Sequence, residues 1–413
     1  MPPSEDFDMY CRHCEKPLEH VFLDLGLAPF SNAYLSKEDL QKTEALYPLK
    51  LFVCDQCWLV QTEDFAKADD LFQADYAYFS STSTSWLAHS KRYTDMITNR
   101  LALTRDSFVI ELASNDGYLL KNFVADGIPC LGIEPTHDTA EAARKLGIEV
   151  LEEFFGEDMA RGVPKADLIL GNNVYAHVPD INDFTKGMKV ALKPGGTITL
   201  EFPHLLELIK HNQFDTVYHE HFSYLSLYTV SKIFAAAGLR IYDVEQIPTH
   251  GGSLRIYGCH DKAALPTTAA VTNLLATEKE FGLQKLETYL AFQKKADKVK
   301  SDFISFIDAE KKKGKKIAGY GAAAKGNTLL NYAGIKTGVI DFVCDAAPSK
   351  QNKFLPGSHI PILPPSAIDA EKPDIIVIFP WNIAAEVKTQ LAHVKNWNAE
   401  FVTAVPTLRK DAA

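Results

Sequence analysis

Phe108-Val-Ile-Glu111-Leu-Ala113-Ser-Asn115-Asp116-Gly117 passes from an apolar run into a short polar turn, and the fold follows from how it is read. The run predicts a buried strand. A turn with glycine at its end predicts a strand-to-helix join. Strand-like stretches recur at 130–134, 148–151, 168–171 and 197–201, and helical patterns fall between them near 118–125, 139–146, 154–161 and 181–191. Strands alternating with helices imply an α/β fold, a doubly wound parallel sheet. Lys193-Pro194-Gly195-Gly196 predicts a tight turn into the fifth strand.

Ligands of such sheets lie outside the carboxyl ends of the strands. The first strand ends in Glu111 and the turn to Gly117, the second in Glu134, and the fourth in Asn172-Asn173-Val-Tyr-Ala-His177. The fifth ends in Glu201-Phe-Pro-His204. Polar residues out of place in a core thus gather on one edge. A dinucleotide needs bare backbone N–H groups at its pyrophosphate. S-adenosylmethionine has an ammonium and a carboxylate instead, which polar side chains in the turn suit. Glu111, Ala113, Asn115, Asp116, Gly117 and Asn172 are therefore expected to bind S-adenosylmethionine, with Glu134 accepting from the ribose hydroxyls.

The chain has 413 residues, 46% of them apolar and 23% charged, which fits a soluble globular protein of two or three domains. A net charge of −10 argues against sequence-independent nucleic-acid binding. No apolar run reaches the length of a membrane span, and Met-Pro-Pro-Ser-Glu-Asp lacks the regions of a signal peptide. A cytoplasmic protein, monomeric or weakly self-associating, is expected.

Cys11 and Cys14 form one C-x2-C pair, and Cys54 and Cys57 another. Each knuckle presents two thiolates on a tight turn, and two knuckles complete a tetrahedron around Zn2+. Four protein ligands leave no open position, so the zinc is expected to be structural. Asp75-Tyr76-Ala77-Tyr78-Phe79-Ser80 then leads to a helical stretch over 86–103. It reads either as a packed linker or as a lid carrying a phenol.

After the fifth strand comes Asp215-Thr-Val-Tyr218-His219-Glu220-His221-Phe-Ser-Tyr224, with imidazoles, carboxylates and phenols among apolar residues. A solvated loop rarely has this content, and the stretch reads as a catalytic strip. The H-E-x-x-H spacing of a metalloprotease is absent. Further on, residues 270–313 read as one long helix, and strands are expected at 317–321, 339–344 and 374–378, with a mobile proline-rich loop at 346–366. Gly319-Tyr-Gly-Ala-Ala-Ala-Lys325-Gly326-Asn327 is a glycine-rich join that could hold a diphosphate through backbone N–H groups and the Lys325 charge. It is not a Walker A motif, because Gly326 stands where Ser or Thr is required. Asp345, Trp381 and Asn382 fall on the same edge as candidate contacts.

The paired cysteines, Glu111–Gly117, Asn172–Asp180, Tyr218–Tyr224 and Thr249-His250-Gly251-Gly252 together resemble the nucleotide-sugar C-methyltransferases. These make branched deoxysugars, the best known acting at C-3 of a dTDP-3-amino-4-keto-deoxyhexose. The resemblance spans nearly the whole chain. It implies a zinc-binding domain at 1–70, a methyltransferase domain at 71–265 that includes a helical bridge, and a Rossmann-like domain at 266–413 for the substrate nucleotide. It also implies an active site of His177, Tyr218, Glu220, His221 and a tyrosine that is Tyr76 or Tyr78, Tyr76 being preferred. Two positions depart from the pattern: Ala113 where glycine is common, and His219 where an acid is common. The chain is thus expected to methylate a carbon beside the ketone of a dTDP- or GDP-linked 4-keto-6-deoxy sugar through an enolate. His221 would act as base beside Glu220, Tyr218 and His177 would hold the sugar or its ketone, and Tyr78, Lys325, Asn327 and Asp345 would bind substrate. An NAD-dependent nucleotide-sugar oxidoreductase and a non-catalytic zinc scaffold are the competing classes.

Overall fold

A computed structural model of the chain describes residues 9–63, 79–82 and 84–412. Over these, the chain forms two compact units, neither continuous in sequence. One comprises Met1–Leu18, Cys54–His204 and Phe222–Gln284, the other Glu19–Val53, Leu205–His221 and Lys285–Ala413.

The first unit is built on a seven-stranded sheet in the order Leu239–Ile247, Ser253–His260, Leu192–Pro203, Ala166–Asn172, Val109–Leu112, Cys130–Ile133, Glu149–Leu151. The last five are parallel, and the first two run antiparallel at one edge. All four residues of Val109–Leu112 are buried, as expected for a central parallel strand covered on both faces. Tyr93 and Ile97 of helix Thr84–Leu101, Phe123 of helix Leu120–Ala125, and Ala140 and Ala143 of helix His137–Arg144 share one core with Val109, Leu168 and Leu170. The residues 193–196, expected as a tight turn before the strand, are instead a bulge inside the strand Leu192–Pro203. Ala166 pairs with Leu192 and Leu168 with Thr197, so those four residues loop out opposite Asp167. The antiparallel edge strand Leu239–Ile247 was not foreseen, because it mixes exposed and buried positions without clean alternation.

The second unit holds a six-stranded sheet in the order Ile362–Leu363, Phe342–Cys344, Ile317–Tyr320, Ile375–Ile378, Glu400–Thr403, Arg409–Ala412. It is parallel except for the last strand. An antiparallel hairpin of His20–Ala28 and Tyr47–Val53 belongs to this unit. Phe22 of the hairpin stacks on Phe292 at 4.9 Å.

Two expectations need correction. The long helix over 270–313 is three helices, Ala269–Phe281, Leu286–Leu290 and Phe292–Lys312. Gly282 ends the first at φ 101°, a left-handed cap that glycine adopts without strain. The stretch 346–366 is not a loose loop. Leu355, Ser358 and Ile360 are fully buried, and Ile362–Leu363 extends the sheet. Prolines there end regular structure but do not prevent packing.

Candidate functional site

The cysteine knuckles are built alike. Glu15 N–H returns to the Cys11 carbonyl at 2.8 Å, and Trp58 N–H to the Cys54 carbonyl at 2.9 Å. Glu15 and Trp58 both have positive φ, 59° and 63°. The four Sγ atoms lie within 4.8 Å of one another, with Cys11–Cys57 at 3.4 Å and Cys14–Cys54 at 3.5 Å. Roughly 3.8 Å separates sulfurs in a tetrahedron with Zn–S bonds of about 2.3 Å, so the set fits zinc. Hydrogen bonding to Cys54 pushes the Cys11 thiol up to about 12 when no cation neutralises the cluster. His13 faces elsewhere, its Nδ1 lying 2.8 Å from Asn182 Oδ1.

On the sheet edge of the first unit, the turn after Val109–Leu112 is tightly wound. Ala113, Asn115 and Gly117 have φ of 52°, 50° and 75°. A Cβ on Gly117 would meet Ile148 Cδ1 at 2.4 Å, so glycine is required there. Glu134 Oε2 accepts from the Asn115 N–H at 2.9 Å and Oε1 from the Thr136 N–H at 3.0 Å. These bonds hold the carboxylate at the strand end, and its remaining lone pairs can accept ribose hydroxyls. Ser80 N–H reaches Asn115 Oδ1 at 2.9 Å, and Ser81 N–H reaches Asp116 Oδ2 at 3.1 Å, so the segment before helix Thr84–Leu101 closes over the turn.

Glu111 Oε2, Ser114 Oγ, Asp116 Oδ1 and both polar atoms of the Asn172 side chain are buried without a hydrogen-bond partner among the described residues. Such atoms are rare in native proteins, and the polar groups of a ligand would satisfy them. Burial, with Glu134 and Asp116 close by, holds the Glu111 carboxyl well above the usual carboxylate range. A cation placed among these three acids would favour their ionised forms, which suits the sulfonium and ammonium of S-adenosylmethionine. The pyrophosphate of a dinucleotide would be repelled. His177 lies in the turn Tyr175–His177 just beyond Asn172, half-buried. Tyr76 and Tyr78 lie outside the described residues.

In the second unit the strip is compact. The Tyr218 and His221 rings are 4.1 Å apart between centroids. Glu220 is 3% exposed and accepts from Asn32 Nδ2 at 3.1 Å, its Oε2 buried without a partner among the described residues. Burial raises its pKa. His219 packs edge-on against Phe30 and lies 3.2 Å from the Pro48 carbonyl, and burial lowers its pKa. These are contacts of a core residue.

The same unit brings the strip to the glycine-rich join. Thr328 Oγ1 donates to the Val217 carbonyl at 2.7 Å, and Trp381 Nε1 donates to Asp215 Oδ2 at 2.7 Å. Lys325 Nζ donates to Asn382 Oδ1 at 2.7 Å and lies 4.6 Å from the Trp381 ring centroid, a cation–π contact. Asn327 Nδ2 donates to the Ser31 carbonyl at 2.6 Å, and its Oδ1 is buried without a partner among the described residues. The join differs from expectation in one respect. The N–H groups of Gly321, Ala322 and Ala323 are taken by the Cys344 carbonyl, Asp345 Oδ2 and the Gly321 carbonyl. An anion there is left with Lys325 and the very start of helix Ala324–Ala333, since the Gly326 and Asn327 N–H groups already bond the Ala323 carbonyl.

Asp215 and Lys325 are each pushed toward neutrality. Burial raises Asp215 to about 6 against the opposing Lys325 charge, and burial lowers Lys325. Asp215 stood in the strip but drew no assignment from sequence. Its signal, an acid flanked by apolar residues at the start of the strip, is visible only once its partner Trp381, far along the chain, is known.

Comparison with known proteins follows the same lines. Residues 248–406 match the family model of the C-methyltransferase C-terminal domain, 86–244 that of a methyltransferase domain, and 11–72 that of a zinc binding domain. The chain is 33% identical to the C-methyltransferase NovU of Streptomyces niveus over 97% of its own length and 96% of that protein. Among solved structures, the PH0226 protein of Pyrococcus horikoshii is 15% identical, covering 48% of this chain and 100% of that one at a TM-score of 0.38. Magnesium protoporphyrin IX methyltransferase of Synechocystis, solved with bound SAH, is 13% identical, covering 42% and 84% at a TM-score of 0.34.

Proposed function

Because this chain belongs to the C-methyltransferase family and uses S-adenosylmethionine and zinc, we propose that it methylates a carbon beside the ketone of a nucleotide-linked 4-keto-6-deoxy sugar, dTDP or GDP, through an enolate. The observation that carries the finer reading lies within the second unit. A buried strip able to handle protons is tied, through Val217 and Asp215, to a helix start bearing Lys325. Proton abstraction and binding of a diphosphate are the two tasks that this substrate sets.

S-adenosylmethionine supplies an electrophilic methyl group. Glu134 would hold its ribose, and Glu111, Asp116 and Asn172 its cationic end, with Ala113, Asn115 and Gly117 shaping the turn. Carbon is methylated only as a carbanion equivalent, so a base must take the proton beside the ketone. His221 is that base in our reading. Glu220, raised in pKa by burial, stands next to it in the chain as a second proton acceptor. Tyr218 packs against His221 and sets the ring that receives the proton. His177, with Tyr76 or Tyr78, donates to the ketone oxygen as enolate charge develops there. Lys325 and Asn327 hold the diphosphate side, and Asp345 contacts the nucleoside. The division of labour over 1–70, 71–265 and 266–413, as zinc module, methyl-transfer domain and nucleotide domain, is part of the same proposal.

The test is mass spectrometry of dTDP- and GDP-4-keto-6-deoxy sugars incubated with the enzyme and methyl-labelled cofactor. One labelled methyl per sugar is expected. His221→Asn and Glu220→Gln should lower turnover by about 10²–10⁴ while binding S-adenosylhomocysteine as the parent does. Wild-type turnover in both variants would remove them from the mechanism, and no labelled product from either nucleotide class would sink the substrate assignment.

A further inference from the structure

The motif Thr249-His250-Gly251-Gly252 and the end of the fifth strand have no part in the scheme above, yet they form an ordered cluster in the first unit. Helix Thr84–Leu101 presents Trp86, His89 and Tyr93 at spacings of three and four, and so on one face. His89 Nε2 lies 2.8 Å from Glu201 Oε2. Glu201 Oε1 is gripped by Arg255 through Nε at 2.7 Å and Nη2 at 2.6 Å, and Arg255 continues to Glu245 at 2.8 Å. Glu201 and Arg255 are 1% and 6% exposed. Burial opposes ionisation of Glu201, but His89 and Arg255 outweigh it and hold its carboxyl below the usual range.

An ionised Glu201 can only accept, so His89 donates to it from Nε2, and in the neutral imidazole Nδ1 is then the acceptor. That ring lies at the open end of the network, its side chain 12% exposed. It stacks on Trp86 at 4.9 Å, and Trp86 meets His250 edge-on at 5.4 Å. His250 Nε2 lies 2.9 Å from Asn173 Nδ2, and the Asn173 N–H is bonded to the Glu201 carbonyl at 2.8 Å. Asn173 and His250 both hold left-handed backbone, φ 57° and 55°, which asparagine adopts readily and histidine at some cost.

The cluster gathers at the carboxyl ends of Ala166–Asn172 and Leu192–Pro203. Glu134 and the cofactor turn occupy the ends of Val109–Leu112 and Cys130–Ile133. A ligand at the switch point of such a sheet spans both halves, and beyond Asn172, which the cofactor reading uses, the ends of Ala166–Asn172 and Leu192–Pro203 are left for the methyl acceptor. We propose that His89 contacts the acceptor, its Nδ1 accepting a hydrogen bond from an acceptor hydroxyl, and that Glu201 and Arg255 are positioning residues that fix its tautomer. This rests on the sugar reading above only for the hydroxyl. A purely structural network would need the Nε2–Glu201 bond but would be indifferent to what stands at Nδ1.

The experiment separates those roles. Nitrogen-15 spectra of the histidine-labelled chain, without substrate, should show His89 protonated at Nε2 alone. His89→Gln can keep a donor to Glu201 but has no acceptor at the Nδ1 position. It should raise KM for dTDP-4-keto-6-deoxyglucose by about 3- to 10-fold, the effect of one neutral hydrogen bond, with little change in kcat or in affinity for S-adenosylhomocysteine. His89→Asn restores an acceptor oxygen near Nδ1 and should recover most of the KM. An Nδ1-protonated His89, an unchanged KM in His89→Gln, or equal loss of cofactor affinity and thermal stability in both variants would overturn the proposal. If the parent enzyme turns over neither dTDP- nor GDP-linked 4-keto sugars, the substrate reading fails instead, and the tautomer still decides the role of Glu201.

Discussion

Replacing Asp215 by asparagine should make the protein more stable at neutral pH and less fit for its task. The Asp215 carboxyl is 1% exposed, and burial lifts its pKa from 3.8 to about 6 despite Lys325 nearby. In the unfolded chain the group ionises near its ordinary value, so folding opposes ionisation. The native state is therefore unburdened below the unfolded value, loses stability as pH climbs from about 4 to about 6, and is constant above. A tenfold change in acidity is worth about 1.36 kcal/mol, so the carboxylate costs about 3 kcal/mol at pH 7.5 and about half that at pH 5. Asparagine keeps an oxygen to accept from Trp381 Nε1, whose bond to Asp215 is 2.7 Å. Asp215→Asn should therefore gain about 3 kcal/mol over the parent in urea unfolding at pH 7.5, and about half that at pH 5. A residue kept at such a cost is expected to serve the site, so the gain should come with a weaker response to nucleoside diphosphate. A variant no more stable than the parent at pH 7.5 would refute the reasoning, since it would mean that Lys325 compensates the buried charge.

Two further outcomes are expected. The metal content should be one zinc per chain by mass spectrometry, and Cys54→Ser should lose it together with several degrees of thermal midpoint, because four thiolates cannot share that space without a cation; unchanged zinc content would break the four-cysteine assignment. Ala113→Gly removes a left-handed alanine at φ 52° and should stabilise the chain by up to about 1 kcal/mol in denaturant titration, whereas a destabilised variant would show that the Ala113 methyl group packs usefully at the turn.

Across the described residues no helix is long and apolar enough to cross a membrane. That agrees with the absence of long apolar runs in the sequence.

What the sequence determined by itself was local. Val109–Leu112 reads as a buried strand because its side chains are apolar but for Glu111, and Gly117 marks the turn that follows it, although the close approach of Ile148 that forbids any side chain there shows only in the fold. Two C-x2-C knuckles could be matched to one tetrahedral ion without knowing the path between them. Glu134 could be placed from strand order alone. Tertiary structure decided whatever depended on partners distant in the chain. Nothing near Asp215 announces that Trp381 will donate to it, nor does anything near His89 announce Glu201 and Arg255. The break at Gly282, the packing of 346–366 and the edge strand Leu239–Ile247 were also hidden, since a proline or a mixed burial pattern is silent about what will cover it. Short-range geometry is written in spacing. Burial, and with it the raised acids and the direction of each hydrogen bond, arises only when the chain has closed on itself.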